Sequence, residues 1–374
     1  MTDEQRTEYV PRSVSPPGET LAETLEELQI TQAELARRMG RPIKTINEIV
    51  RGKAAILPET AFQLEMVTDV PANFWMARET AYRVHLAQKA RHAAEQTGEA
   101  VEWARRFPCR AMAEWGWIQR HSRAHGYVHE LYSFFRVASP EAWTAIWNRP
   151  EVAFRRSLKQ DGNPFAIAAW LRQGEIQAQP RTAVGYDPES LRQVLAQARA
   201  LTAEEANVFV PALQRSCATA GVIVEFVPEL PGARVSGATR WLNPNRALIQ
   251  LSFRFKTNDQ LWFSFFHEAA HVLRHPRKGI FIDEGSSTTA LEVEADRFAS
   301  GILIPDEAFR EFASHHPFSR QKVVAFASAE GIAPGVVVGR LQHEGLLPYG
   351  HLNDLKAHLR WESVASARVV TANG

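Results

Sequence analysis

The chain has 374 residues, too many for one small core, so two or three domains are expected. Apolar residues make up 45% and charged residues 23%, an ordinary globular balance, and a formal net charge of +1 excludes a chain that is basic or acidic as a whole. With only Cys109 and Cys217, far apart in sequence, neither a disulfide framework nor a cysteine-rich zinc site is expected.

Residues 1–18, with Pro11, Pro16, Pro17 and Gly18 and no apolar run, are expected to be a disordered arm rather than a secretory signal. No segment reaches the roughly 18 consecutive apolar residues of a membrane span, so the expected compartment is the cytoplasm, without a membrane partner. Periodic apolar residues begin at Leu21, Leu25 and Leu28 and open a helical domain expected over 19–97, closed by the polar bridge Glu95 to Glu99.

Within that domain residues 31–51 read TQAELARRMGRPIKTINEIVR. Thr31 and Glu34 form a capping box, Leu35, Ala36 and Met39 make a buried face, and Gly40 permits a sharp turn. Pro42 suits the first turn of the next helix, where Ile43, Ile46, Ile49 and Val50 repeat at helical spacing, which together spells a helix-turn-helix. Arg37, Arg38, Arg41, Lys44, Arg51 and Lys53 outnumber Glu34 and Glu48, as a phosphate-facing surface requires. Lys44, Thr45, Asn47 and Glu48 are the candidate readers of base edges, and Gln32, Arg41, Arg51 and Lys53 the candidate backbone contacts. The stretch from about residue 16 to 90, PPGETLAETLEELQITQAELARRMGRPIKTINEIV and onward to VPANFW, resembles the HigA/VapI antitoxin subgroup of the Cro/C1-type (XRE) helix-turn-helix family. That resemblance implies a five-helix domain and a homodimer on a double-stranded DNA operator.

Residues 98–204 are rich in Trp, Arg and Ala, with helical segments around Trp103, Trp117, Trp143 and Trp170 broken by Pro108, Pro140, Pro150 and Pro164. This block reads as a helical connecting region whose aromatics are packing residues. From Gly221 the texture turns β-branched, and Val222 to Val227 and Ala247 to Leu251 read as strands of a small sheet. Two helices follow, from about Asp259 to His275 and from about Thr289 to Leu303, and periodic segments continue helically to about Trp361. The expected architecture is therefore mainly α with a small β-sheet (α+β), with an α+β domain over 205–315 and a helical C-terminal extension over 316–374.

The first of those helices carries His267-Glu268-Ala269-Ala270-His271 directly after the apolar run Leu261 to Phe266. Positions i and i+4 lie about 40° apart on a helix, so both imidazoles can reach one zinc ion, while Glu268, about 100° from His267, approaches the ion's water as a general base. A third protein ligand is needed, and the next helix, ALEVEADRFASGILIP, has an apolar stripe of Leu291, Ala295, Phe298 and Ile302 flanked by Glu292 and Glu294. Glu292, on whose side Asp296, Ala299 and Leu303 lie, is the candidate, with Glu294 as the fallback. Asp296 is placed to accept from the outer nitrogen of a ligating histidine. His343 is a candidate support for an oxyanion, and the segment Arg234 to Ala238, with the strand from Val222, a candidate sheet edge for an extended substrate.

The run SFRFKTNDQLWFSFFHEAAHVLRH followed by LEVEADRFASGILIP resembles the ImmA/IrrE family of zinc metallopeptidases across roughly residues 205–310. The resemblance implies a zincin-like domain with zinc on His267, His271 and Glu292 and with Glu268 as base. Two functions follow: a DNA-bound regulatory protease that cleaves a repressor or antitoxin, or an antitoxin-like repressor whose metallopeptidase-like domain holds a toxin or ligand without cutting it.

Overall fold

The computed structural model describes residues 14–147, 162–277, 280–283, 289–362 and 369–372. The chain divides after Thr97 into two units, Met1–Thr97 and Gly98–Gly374. Both are built mainly of helices, and the second adds small sheets, an α+β fold.

The first unit holds α1 (Pro17–Glu27), α2 (Gln32–Arg38), α3 (Ile43–Val50), α4 (Pro58–Thr68) and α5 (Ala72–Glu95). Pro17 and Gly18, assigned to a disordered arm from the sequence, are instead the buried first turn of α1, and residues 1–13 lie outside the described residues. Thr31 starts α2 by accepting a hydrogen bond from the Glu34 backbone N–H at 3.1 Å. The reciprocal half of the expected box gives way to surface pairing, because the Glu34 carboxylate accepts from Arg38 Nε at 2.9 Å and pairs with Arg37. Gly40 takes φ +63°, the left-handed conformation that lets α3 cross α2. Leu35, Ala36, Met39, Ile46 and Ile49 join Leu21, Leu25, Leu64 and Trp75 in one core. Ile43 departs from the expected stripe: at the first residue of α3 it is half exposed, so the buried face begins one turn later.

In the second unit β1 (Val222–Phe226), β2 (Gly237–Asn243), β3 (Arg246–Leu251) and β4 (Ile280–Asp283) form a sheet in the order β1-β3-β2-β4. β1 runs parallel to β3, and β2 runs antiparallel to both β3 and β4. Every residue of β1 is buried, because a helix covers each face of the sheet. Val222, Val224, Ile249 and Leu251 face a core that includes Trp262, Phe265 and Phe266 of helix Asn258–Arg274. On the opposite face Gln250 Nε2 donates to the Trp170 carbonyl at 2.6 Å, docking helix Pro164–Ala178.

Residues 98–204, expected to connect, in fact carry a packed aromatic core. Trp103, Phe107, Phe135, Trp143 and Phe165 sit against one another, with ring centroids 4.8–6.0 Å apart in the contacting pairs, and the cluster takes in Val227, Val235 and Ala238 from the sheet region. Cys109 and Cys217 are buried free thiols, both pushed up to about 12 by burial. The C-terminal segment also departs from an all-helical extension. After helices Arg320–Glu330 and Pro334–His343 the chain forms an antiparallel pair, β5 (His358–Trp361) and β6 (Val369–Ala372). Alternation explains it: Leu359 is buried between exposed His358 and Arg360, a period of two that a helix cannot satisfy.

No single described helix is long and apolar enough to cross a membrane. Because Ile46 is fully buried in the crossing of α2 and α3, Ile46→Ala should destabilise the first unit by about 2–5 kcal/mol, seen as faster hydrogen exchange at α2 and α3 amides of the full chain.

Candidate metal centre and nucleic-acid face

Helix Asn258–Arg274, the histidine helix, owes its position to its apolar residues. Leu261, Trp262, Phe265, Phe266, Ala269 and Val272 are buried, and each large one contributes roughly 1.5–3 kcal/mol of burial. Its start is fixed by Asn258 Oδ1, which accepts from the Ala357 N–H at 3.1 Å, and by a buried ion pair of Asp259 with Lys356 Nζ at 2.7 Å. At the motif itself Thr239 Oγ1 of β2 donates to the Glu268 carbonyl at 3.0 Å. The histidines are thus buried on a helix held at three points.

Helix Ala290–Leu303, the acidic helix, packs beside it. Thr289 Oγ1 accepts from the Glu292 backbone N–H at 3.4 Å, while the Glu292 side chain reaches the imidazoles, so capping and coordination are compatible roles for adjoining atoms. Ala295, Ala299 and Leu303 are its buried residues and Leu291 is exposed, which rotates the helix toward the Glu292 side.

Three acceptor atoms converge between the two helices. His267 Nε2 lies 3.0 Å from Glu292 Oε2 and 3.0 Å from His271 Nε2, and His271 Nε2 lies 3.6 Å from the same carboxylate oxygen. A tetrahedral ion with ligands about 2.05 Å away would space them about 3.3 Å apart, so the group could hold a small divalent cation. The outer nitrogens support that reading. His267 Nδ1 lies 2.8 Å from Asp296 Oδ1 and His271 Nδ1 lies 2.6 Å from His275 Nδ1, so each outer nitrogen has a partner and the inner nitrogens are the ones that could face a cation. Burial works to raise the Glu292 carboxyl, but hydrogen bonds and charge from His267 and His271 outweigh it and hold the group down at about 2.

Glu268 is fully buried and lies against the backbone of β2. A Cβ at Gly237 would come within 2.7 Å of Glu268 Cγ and Oε1, so glycine there makes room for the carboxylate. A cleft of about 240 Å³ opens over His267, Glu292 and Asp296, and its wall includes Ser236, Phe263 and His343. His343 ends helix Pro334–His343, its ring 6.4 Å from that of Phe263.

The structure therefore gathers His267, His271, Glu292 and Asp296, places His343 on the same cleft, and leaves Glu294 outside, half exposed and paired with Arg274 at 3.0 Å. Of the candidate sheet edge Arg234 to Ala238, Gly237 and Ala238 are not free, being paired with β3 on one side and β4 on the other, whereas β1, the strand from Val222, is an outer strand of the sheet and pairs with β3. Sequence reasoning missed His275, although the four-residue spacing His267, His271, His275 was there to be read, and it missed Phe281, whose ring stacks on His271 with centroids 4.4 Å apart. Nothing local marks Phe281, which arrives on β4.

On the first unit, Lys44, Arg51 and Lys53 are exposed and Gln32, Thr45, Asn47 and Glu48 are half-buried. Lys44 makes a loose pair with Glu48 at 3.9 Å. Arg41 differs: Nε donates to Gln63 Oε1, and the guanidinium lies 3.8 Å from Glu59, so it ties the α2–α3 turn to α4.

Gly237→Ala should displace the Glu268 carboxylate and destabilise the second unit by about 1–3 kcal/mol in denaturant unfolding. Gly301→Ala, whose added Cβ meets open space on the acidic helix, should instead stabilise by about 0.4–1 kcal/mol.

Residues 229–333 match the family model of the IrrE N-terminal-like domain, and residues 21–75 match that of a helix-turn-helix. The uncharacterized HTH-type transcriptional regulator YddM of Escherichia coli (strain K12) is 33% identical over 73 residues, covering 20% of this chain and 78% of the relative. An addiction module antidote protein of a HigA family from Coxiella burnetii is 29% identical over 21% of this chain and 85% of that one, at a TM-score of 0.20. Pseudomonas aeruginosa antitoxin HigA, solved with the higBA promoter, is 33% identical over 22% of this chain and 92% of that one, at a TM-score of 0.22.

Proposed function

We propose, from the premise that this chain belongs to the helix-turn-helix transcriptional regulators and carries an IrrE N-terminal-like domain, that it is a zinc-dependent peptidase acting on a regulatory protein, a repressor or antitoxin, while its first unit engages operator DNA. The observation that carries the enzymatic half is the meeting of His267 Nε2, His271 Nε2 and Glu292 Oε2 within 3.6 Å. Two imidazoles and one carboxylate are a donor set that suits zinc and leaves a fourth position for a small molecule.

Zinc bound there supplies Lewis acidity toward water and toward a peptide carbonyl. The remaining work belongs to the chain. The Glu268 carboxylate takes a proton from the attacking water and hands it to the departing amine, and Gly237 leaves the room it needs. His343, on the cleft wall, donates to the oxygen that gains negative charge. Asp296 orients the His267 ring from its outer nitrogen, Nδ1. The Phe263 ring on the same wall keeps part of the cleft dry, which strengthens each of these electrostatic contacts.

In the DNA half, a homodimer sets two copies of α3 in successive major grooves, with Lys44, Thr45 and Asn47 toward base edges and Arg51 and Lys53 toward phosphates. Arg41 is already engaged by Gln63 and Glu59, so in this reading it shapes the turn more than it grips the backbone.

Elemental analysis should find one zinc per chain, lost in His271→Ala and kept in Glu294→Ala. Glu268→Gln should keep the metal yet slow cleavage by about 10²–10⁴-fold, checked by mass spectrometry after incubation with the products of neighbouring reading frames. If nothing is cut, while operator binding and toxin neutralisation survive that substitution, the domain holds its partner rather than hydrolysing it. In fluorescence anisotropy Arg51→Ala and Lys53→Ala should each weaken binding evenly across sequences and lower the salt slope by about 1, whereas Asn47→Ala should cost about 1–3 kcal/mol at a single base pair.

A further inference from the structure

The histidine helix carries its four-residue spacing one step beyond the motif, to His275. That residue is 6% exposed, and its Nδ1 lies 2.6 Å from Nδ1 of His271. Phe281 covers both rings, with centroids 4.4 Å from His271 and 5.6 Å from His275. The pair is enclosed, so its hydrogen bond is shielded from competing water.

Two ring nitrogens this close share one proton, and one must donate while the other accepts. Nε2 of His271 is the nitrogen that faces His267 and Glu292. A neutral His271 that offers Nε2 to a cation carries its proton on Nδ1, which makes His275 Nδ1 the acceptor and puts the His275 proton on Nε2. That Nε2 points toward Glu294 Oε2 at 3.6 Å, and Glu294 is in turn held by Arg274 at 3.0 Å. His267 is served differently, by the half-exposed Asp296 carboxylate.

We propose that His275 is a positioning residue of the metal centre: by accepting the His271 Nδ1 proton it sets that ligand's tautomer and ring plane, with Glu294 at the outer end of the file. The inference rests on the metal reading above. Its consequence is that a buried imidazole, and not a carboxylate, backs the second histidine ligand.

The test measures zinc affinity of the full-length chain by competition with a chelating dye. His275→Leu should weaken binding about 10- to 100-fold. His275→Asn, whose Oδ1 takes the place of Nδ1 as acceptor, should recover most of that loss, and Glu294→Gln should move the affinity less than His275→Leu does. Histidine nitrogen NMR of the zinc-loaded parent should show Nδ1 protonated in His271 and bare in His275. A leucine variant that binds zinc as tightly as the parent overturns the proposal, as does a bare His271 Nδ1. If the leucine variant does not fold, the asparagine variant and the parent spectra decide. A parent chain that takes up no zinc overturns the metal reading itself, and the parent measurement tells the two failures apart.

Discussion

Two imidazoles and a carboxylate held together in a buried site must be satisfied by shared protons or by a cation, and the second unit is arranged around that requirement. His267 Nε2, His271 Nε2 and Glu292 Oε2 meet within 3.6 Å, on side chains that are almost wholly removed from water. Burying such groups without partners costs several kcal/mol each. The arrangement persists because apolar packing on the same helix, from Trp262, Phe265 and Phe266, draws the motif inward, and because Asp296 and His275 engage the outer nitrogens.

The sheet turns that local chemistry into a site. Covered on both faces, it offers β2 as a wall against which the histidine helix lies, and the wall is shaped at two places. Thr239 holds the Glu268 carbonyl, and Gly237 leaves space for its carboxylate. The cleft over His267 is completed from far along the chain by the helix that ends at His343. The aromatic cluster from Trp103 to Trp147 and the helix Pro164–Ala178 support the opposite face of the sheet, so what reads as a connection is part of the scaffold.

The first unit follows a different economy. Its core is small and apolar, most of its charges sit on the surface, and pairs such as Lys44 with Glu48 are too exposed to stabilise it much. Those charges are better understood as complementary to a polyanion than as contributions to folding. Arg41, half-buried and engaged by Gln63 and Glu59 on α4, is an exception, as are Glu79 and Glu95, which are buried and paired with Arg83 and Arg91.

The sequence by itself determined what depends on neighbours within one helix turn or one strand. The α2–Gly40–α3 crossing and the histidine helix were legible, because helical periodicity ties them to residues three and four positions away, while on the acidic helix the expected stripe was right at Ala295 and wrong at exposed Leu291. Tertiary structure decided the rest. Gly237 against Glu268, Phe281 on His271, Gln63 on Arg41 and His343 on the cleft join residues that share no local period, and the pairing that makes β4 an edge strand depends on a partner four decades of residues earlier in the chain. His275 lies between the two cases: its spacing was visible, but only the bond to His271 distinguishes it from a histidine that merely ends a helix.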